Sequence, residues 1–96
     1  MIKIRQTKTY IDWFASLRDR KARARINVQI TRLLMGNPGD VKPVGEGVSE
    51  LRIYYGPGYR VYYIKHGETL VTLLTGGDKK TQQKDIKVAL DLAQDL

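Results

Sequence analysis

An α+β sandwich, in the order β-α-α-β-β-β-α with helices packed on one face of a mostly antiparallel sheet, is the fold class this sequence predicts. Three observations carry it. Two helical apolar periodicities occupy residues 9 to 35, runs rich in β-branched and aromatic residues follow between 50 and 74, and a further amphipathic stretch comes last. Strands that succeed one another through tight turns pair antiparallel, and helices segregated from them cover the sheet. At 96 residues the chain reads as one domain, 1–96, with a real but modest core.

The elements can be justified in order. Met1-Ile2-Lys3-Ile4-Arg5 alternates apolar and basic side chains, the period of a short strand. Thr9 followed by Asp12 resembles a capping box, and Tyr10, Trp13, Phe14 and Leu17 then share one helical face. Asp19 caps a second helix reaching Met35, with Ala22, Ile26, Ile30, Leu33 and Leu34 as its buried stripe. Gly36 and Pro38 end it. Asp40 to Gly47 is a connection with a short extended piece at Val41–Val44.

Glu50 to Tyr63 reads as a β-hairpin about Gly56-Pro57-Gly58. A three-residue loop would pair Tyr55 with Tyr59, Tyr54 with Arg60, and Arg52 with Tyr62. One face then carries Leu51, Ile53, Tyr55, Tyr59, Val61 and Tyr63, and the other Arg52, Tyr54, Arg60 and Tyr62. A second turn at His66-Gly67 leads to the strand Thr69–Leu74, where pairing of Lys65 with Glu68 sets Tyr63 opposite Leu70. Gly76-Gly77 breaks that strand. A closing helix from about Lys80 to Leu96 buries Ile86, Ala89, Leu90 and Ala93.

Composition narrows the function. No apolar run approaches the roughly 20 residues of a membrane span, and the absence of cysteine points to a cytoplasmic protein without disulfides or thiolate metal sites. A single histidine argues against a zinc site or a serine–histidine triad, and no metal or cofactor is expected. The net charge of +7 is unevenly placed: residues 1–35 hold nine Lys/Arg and two Asp, whereas residues 36–96 hold eight of each sign. Such a bias favours an anionic partner, nucleic acid or an acidic protein segment.

The second face of the hairpin is the first candidate site. Two guanidinium groups, Arg52 and Arg60, between the phenols of Tyr54 and Tyr62 suit phosphates and unpaired bases. On this reading the face is open, and replacing Arg60 by Ala costs within about 0.5 kcal/mol of stability. The same charges also read as a device against edge pairing. Gly76-Gly77-Asp78-Lys79-Lys80-Thr81 is the second candidate, since backbone N–H groups and lysines at a helix start bind phosphate. It lacks the spacing of a P-loop, and it also reads as a plain turn with Asp78 or Thr81 as cap. Arg18, Lys21, Arg25 and Arg32 fall on one outward line of the second helix, suited to sequence-independent phosphate contacts. His66, in a tight turn, reads as a surface residue.

These residues carry a resemblance. Glu50-Leu51-Arg52, Gly56-Pro57-Gly58-Tyr59-Arg60-Val61-Tyr62-Tyr63 and Leu73-Leu74-x-Gly76-Gly77-Asp78-Lys79-x-x-Gln82 occur together, with Arg25-Ile26 and Gly36-Asn37-x-Gly39-Asp40 upstream. The chain resembles the RelE/ParE toxin superfamily of type II toxin–antitoxin systems, and more narrowly the HigB-like addiction module killer branch. The resemblance implies the compact RelE-like fold and a cognate antitoxin, in this branch usually a helix-turn-helix protein encoded next door. Many members are ribosome-dependent endoribonucleases that cut mRNA; ParE relatives instead poison DNA gyrase, and a non-catalytic relative would survive as a partner-binding module.

By position, Arg60 matches the arginine that stabilises the scissile phosphate. Arg52 falls near the basic positions of the preceding strand, and Lys79 or Lys80 where a second arginine follows the last strand. Tyr54, Tyr62 and Lys80 would contact RNA, together with Arg18, Lys21, Arg25 and Arg32. The tyrosine that RelE-type enzymes place near the 2′-hydroxyl has no counterpart; Asp85 stands at about that place.

Overall fold

The computed structural model describes residues 2–96; the first residue of the alternating N-terminal stretch, Met1, lies outside the described residues. In chain order the elements are β1 (Lys3–Gln6), α1 (Lys8–Ser16), α2 (Arg20–Leu34), β2 (Val41–Gly45), β3 (Val48–Ile53), β4 (Tyr59–His66), β5 (Leu70–Gly77) and α3 (Gln82–Gln94). The strands form one five-stranded sheet in the order β1-β5-β4-β3-β2. Among the described residues β1 runs parallel to its neighbour, β5, and the other pairs are antiparallel. The α+β class and the mostly antiparallel sheet are therefore as expected, with the extended piece after Val41 paired as a strand. No helix among the described residues is long and apolar enough to cross a membrane.

Capping explains where the helices start. α1 opens two residues earlier than the Thr9 reading: the Thr7 hydroxyl accepts from the Tyr10 N–H at 3.0 Å, an N-cap worth about 1 kcal/mol. Asp19 caps α2 as expected, accepting from Lys21 and Ala22 N–H. The stripe of α2 is buried at Ala22, Ile26, Ile30 and Leu33.

Side-chain alternation sorts the core into two clusters. Leu51, Ile53, Val61, Tyr63, Val71 and Leu73 pack with Tyr10 of α1 and with Ile26, Ile30 and Leu33 of α2. Val48, Tyr62 and Leu74, of the opposite parity, pack with Ala89, Ile86 and Leu90 of α3. The single-face packing expected of the helices thus holds for α1 and α2, and α3 adds a cover to the other face. The reason lies in the stripe of α3, which needs an apolar surface, and the first face is already filled.

Two registers differ from expectation. Arg52 pairs with Arg60 and Ile53 with Tyr59, so the hairpin loop is the five residues 54–58. Tyr54 and Tyr55 leave the strand, and Gly56 (φ 56°) and Gly58 (φ 81°) turn the chain in the left-handed region that glycine tolerates. The shift is by an even number, so the division of residues between faces survives. Between β4 and β5, His66 pairs with Leu70 and Tyr63 with Leu73 rather than Leu70, and a bulge follows Tyr62. That shift is odd and assigns Val71 and Leu73, instead of Leu70, to the α1/α2 face.

Gly76 and Gly77 do not break β5; they are its last two residues. A Cβ on Gly76 would collide with the Trp13 ring on one face, and a Cβ on Gly77 with the Asp85 carboxylate on the other. The glycine pair lets α1 and α3 approach the same strand from both sides.

Candidate functional site

Glu50 is the centre of the polar side of the sheet. It stands in β3 with its side chain wholly buried, directly opposite Tyr62. One carboxylate oxygen, Oε1, accepts from Arg52 Nε at 3.0 Å and from an Arg60 terminal guanidinium N–H at 3.1 Å. The other, Oε2, accepts from the Tyr62 hydroxyl at 3.0 Å and from Gln82 Nε2 of α3 at 2.9 Å. Burial pushes the Glu50 carboxyl up, but the hydrogen bonds from Arg52, Gln82 and Tyr62 and the Arg60 charge outweigh it, leaving the group below the usual range. One carboxylate faces two guanidinium groups, so this cluster keeps a net positive charge.

The expected site residues are placed unequally. Arg52 and Arg60 do come together, as direct cross-strand partners, with side chains only 28% and 12% exposed. The open sheet face expected for them is corrected: α3 covers it. Arg60 Nε is buried without a partner among the described residues, so Arg60→Ala is not the surface substitution that an open face would have made it. Tyr62 is corrected as well. It has no exposed surface, and its hydroxyl is committed to Glu50, so it is a core residue and no platform for a base.

Tyr54 is 77% exposed in the hairpin loop, with its hydroxyl donating to Asp40. Lys79 and Lys80 are exposed between β5 and α3. The backbone there brings Lys79 to the hairpin loop: a Cβ on Gly58 would lie 3.6 Å from the Lys79 Cβ. Since Arg60 pairs with Gly77, Lys79 lies at the same end of the sheet as Arg60. Asp78 caps the turn, accepting from Lys80 and Thr81 N–H, as one of the alternative readings held.

The basic line of α2 lies on the other side of the sheet. Arg25 stacks over the Tyr55 ring at 4.8 Å, and Arg25 and Arg32 share a depression with Ile53 and Tyr54. Arg18 and Lys21 are exposed at the start of the helix. The loop residues Tyr54 and Tyr55 therefore stand between this line and the Arg52/Arg60 pair.

Three members of the site escape a reading by residue type. Glu50 and Gln82 were legible only as parts of a motif, and Asp85 only by its place where RelE-type enzymes carry a tyrosine. Asp85 is buried under Gly77 and accepts from the Thr81 hydroxyl; burial pushes its carboxyl up from the ordinary value. The available signal was parity: Glu50 falls on the same side of its strand as Arg52, and that side had to receive α3. His66 is partly exposed and lies 3.3 Å from the Thr72 hydroxyl, away from the arginines.

Comparison with known proteins agrees over most of the chain. The family described as phage derived protein Gp49-like (DUF891) matches residues 12–96. An uncharacterized protein of Haemophilus influenzae is 52% identical over 95 residues, covering 99% of this chain and 96% of that protein. No solved structure matches the chain.

Proposed function

The chain belongs to the phage-derived Gp49-like family, a toxin-like family of addiction module killers related to RelE and HigB, and on that premise we propose that it is a ribosome-dependent mRNA endoribonuclease. It acts in the cytoplasm and is neutralised by a cognate antitoxin. The observation that carries the reading is the Glu50 anchor, which holds two guanidinium groups side by side next to exposed lysines.

The chemistry asked of the site is modest. A 2′-hydroxyl attacks its own 3′-phosphodiester once aligned: the O2′–P bond of a cyclic phosphate forms as the P–O5′ bond breaks, and the hydroxyl proton passes through water to the leaving 5′-oxygen. Negative charge gathers on the phosphate oxygens as it does so. Arg60 and Arg52, fixed before the RNA arrives, and Lys79 as a mobile point charge, stabilise that charge without reorganising. Tyr54, exposed beside them, stacks an unpaired base for about 1–3 kcal/mol. Lys80, Arg18, Lys21, Arg25 and Arg32 hold ribosomal or messenger phosphates without regard to sequence.

A second reading, a ParE-like gyrase inhibitor acting by binding alone, is favoured by one observation. Arg60 is nearly buried and already neutralised by Glu50, as a purely structural arginine would be. The experiment maps mRNA 5′ ends on ribosomes after induction of wild type, Lys79→Ala and Arg60→Ala, alongside a gyrase supercoiling assay. Cuts within translated frames that weaken in Lys79→Ala and fall about a hundredfold or more in Arg60→Ala, with gyrase unaffected, are expected. Lys79 is exposed, so its variant controls for folding. Intact transcripts with inhibited supercoiling would overturn the nuclease reading in favour of the second.

A further inference from the structure

The sheet has one end that nothing in the proposed chemistry uses. β1 is an edge strand. The Lys3 and Thr7 N–H groups donate inward, to the Thr69 and Leu73 carbonyls, so the alternate backbone groups of Ile4 and Gln6 face outward and meet no strand among the described residues. Beside that edge, on the α1/α2 face, runs a groove of about 490 Å³ lined by Ile4, Ile11, Phe14, Ile30 and Leu34. Ile4 and Ile11 are 38% and 48% exposed. Tyr10 also lines the groove, and its buried hydroxyl has no hydrogen-bond partner among the described residues.

Charge says what kind of chain fits there. Lys3 and Arg5 flank Ile4 and are exposed, as are Arg18 and Arg20 where α1 meets α2. The two carboxylates of the first third are already engaged, Asp12 by Lys8 and Asp19 by the N-terminus of α2. None of Lys3, Arg5, Arg18 and Arg20 has an acidic partner among the described residues.

We propose that this edge and groove seat an extended, acidic segment of the neutralising antitoxin. The segment pairs with the backbone of Ile4 and Gln6 as an added strand, sets apolar side chains into the groove, and opposes its carboxylates to Lys3 and Arg5. A second copy of this chain is a poor occupant of the same edge, because it would bring Lys3 and Arg5 against their own like charges. β1 is separated from β4 by β5, so the segment binds without touching Arg60. The inference rests on the toxin reading and adds where the neutraliser binds.

The test uses the protein encoded beside this chain, chosen because it relieves growth arrest, and compares amide hydrogen exchange of the free chain and the complex. Ile4 and Gln6 amides are expected to slow about tenfold or more on binding. Ile11→Lys is expected to weaken the complex roughly thirtyfold, the loss of one hot-spot side chain; Lys79→Ala, exposed and away from β1, leaves binding unchanged. Should Ile11→Lys fail to fold, Ile4→Lys replaces it. Arrest relieved by the neighbour while Ile4 and Gln6 exchange as in the free chain overturns the docking site alone. Protection of those amides in a dimer of the free chain assigns the edge to a second copy and overturns it too. A chain that arrests no growth at confirmed levels removes the toxin reading, and this occupant with it.

Discussion

On the face covered by α1 and α2, the sheet presents Leu51, Ile53, Val61, Tyr63, Val71 and Leu73 to an aromatic and aliphatic layer. On the face covered by α3, Glu50, Arg60, Tyr62 and Gln82 form a bonded network beside a smaller apolar cluster of Val48, Leu74 and Ala89. The first face is stabilised by area removed from water, a term that tolerates changes of shape within limits. The second depends on one carboxylate meeting four donors, and a buried charge without its partner is far more costly than a missing methyl group. The difference teaches that the polar face is kept at a risk to stability, as a site is expected to be.

Removing Glu50 breaks the comparison most severely. Glu50→Gln leaves Arg60 charged and nearly buried with no counter-ion, and is expected to cost about 3–5 kcal/mol, much of what a small domain has. Adding Arg60→Leu to Glu50→Leu removes the stranded charge and should recover only part of that loss, since the Tyr62 hydroxyl and Gln82 still lack their acceptor, while abolishing the proposed cleavage. Urea unfolding of the three chains checks it. The pH dependence has two opposing parts. Glu50 lies below its unfolded value, so its stabilisation is complete above the unfolded value and is lost as the pH falls through the folded one. Asp85 lies above its unfolded value, so its contribution is present at low pH and is lost as the pH rises through the folded one. Asp85→Asn should therefore gain stability over wild type at neutral pH and lose that gain toward about pH 4.

The glycine pair gives a test in which neighbouring positions probe opposite faces. Ala at Gly76 drives a Cβ into three atoms of the Trp13 ring. That ring is wedged between α1 and the sheet, and overpacking of this kind costs about 1–3 kcal/mol. Ala at Gly77 meets chiefly the far end of the Asp85 side chain, which can swing out and is relieved of burial when it does. We expect Gly77→Ala to be the milder of the two in thermal unfolding, yet the more harmful to function, because moving the start of α3 draws Gln82 from Glu50. Equal losses of stability would show that α3 is held as rigidly as α1.

How much of this was legible beforehand follows from the same contrast. The apolar face could be read almost completely, since Tyr10, Ile26, Ile30, Leu51, Ile53 and Val61 declare themselves by period and hydrophobicity. The hairpin register was misread by two residues because Gly56-Pro57-Gly58 permits loops of several lengths, yet parity kept each side chain on its face. The polar face was recognised as special and misjudged as open. Arg52, Arg60 and Tyr62 look like a surface by residue type, and only the need of Ile86, Ala89 and Leu90 for a partner indicates that a helix covers them. Glu50 was hardest to see: its role comes from four donors contributed by β3, β4 and α3, and nothing local in the sequence adds them up.

The smallest effect is the sharpest on the comparison, because it removes the same atom from each face. Tyr10 and Tyr62 are both buried, and burial pushes both phenols up, so each is neutral throughout the physiological range. Tyr62 donates to a charged carboxylate at 3.0 Å, whereas the Tyr10 hydroxyl has no partner among the described residues. Tyr62→Phe should therefore cost about 1.5–3 kcal/mol, the range for a hydrogen bond to a charged group. Tyr10→Phe removes an unsatisfied hydroxyl and should fall within about 0.5 kcal/mol of wild type, on the stabilising side if it departs at all. Both variants keep the ring and its packing, so the difference between them in urea unfolding isolates the hydroxyls. If Tyr10→Phe proved as costly as Tyr62→Phe, a bridging water would have to satisfy Tyr10, and the α1/α2 face would not be the purely apolar one that the contrast requires.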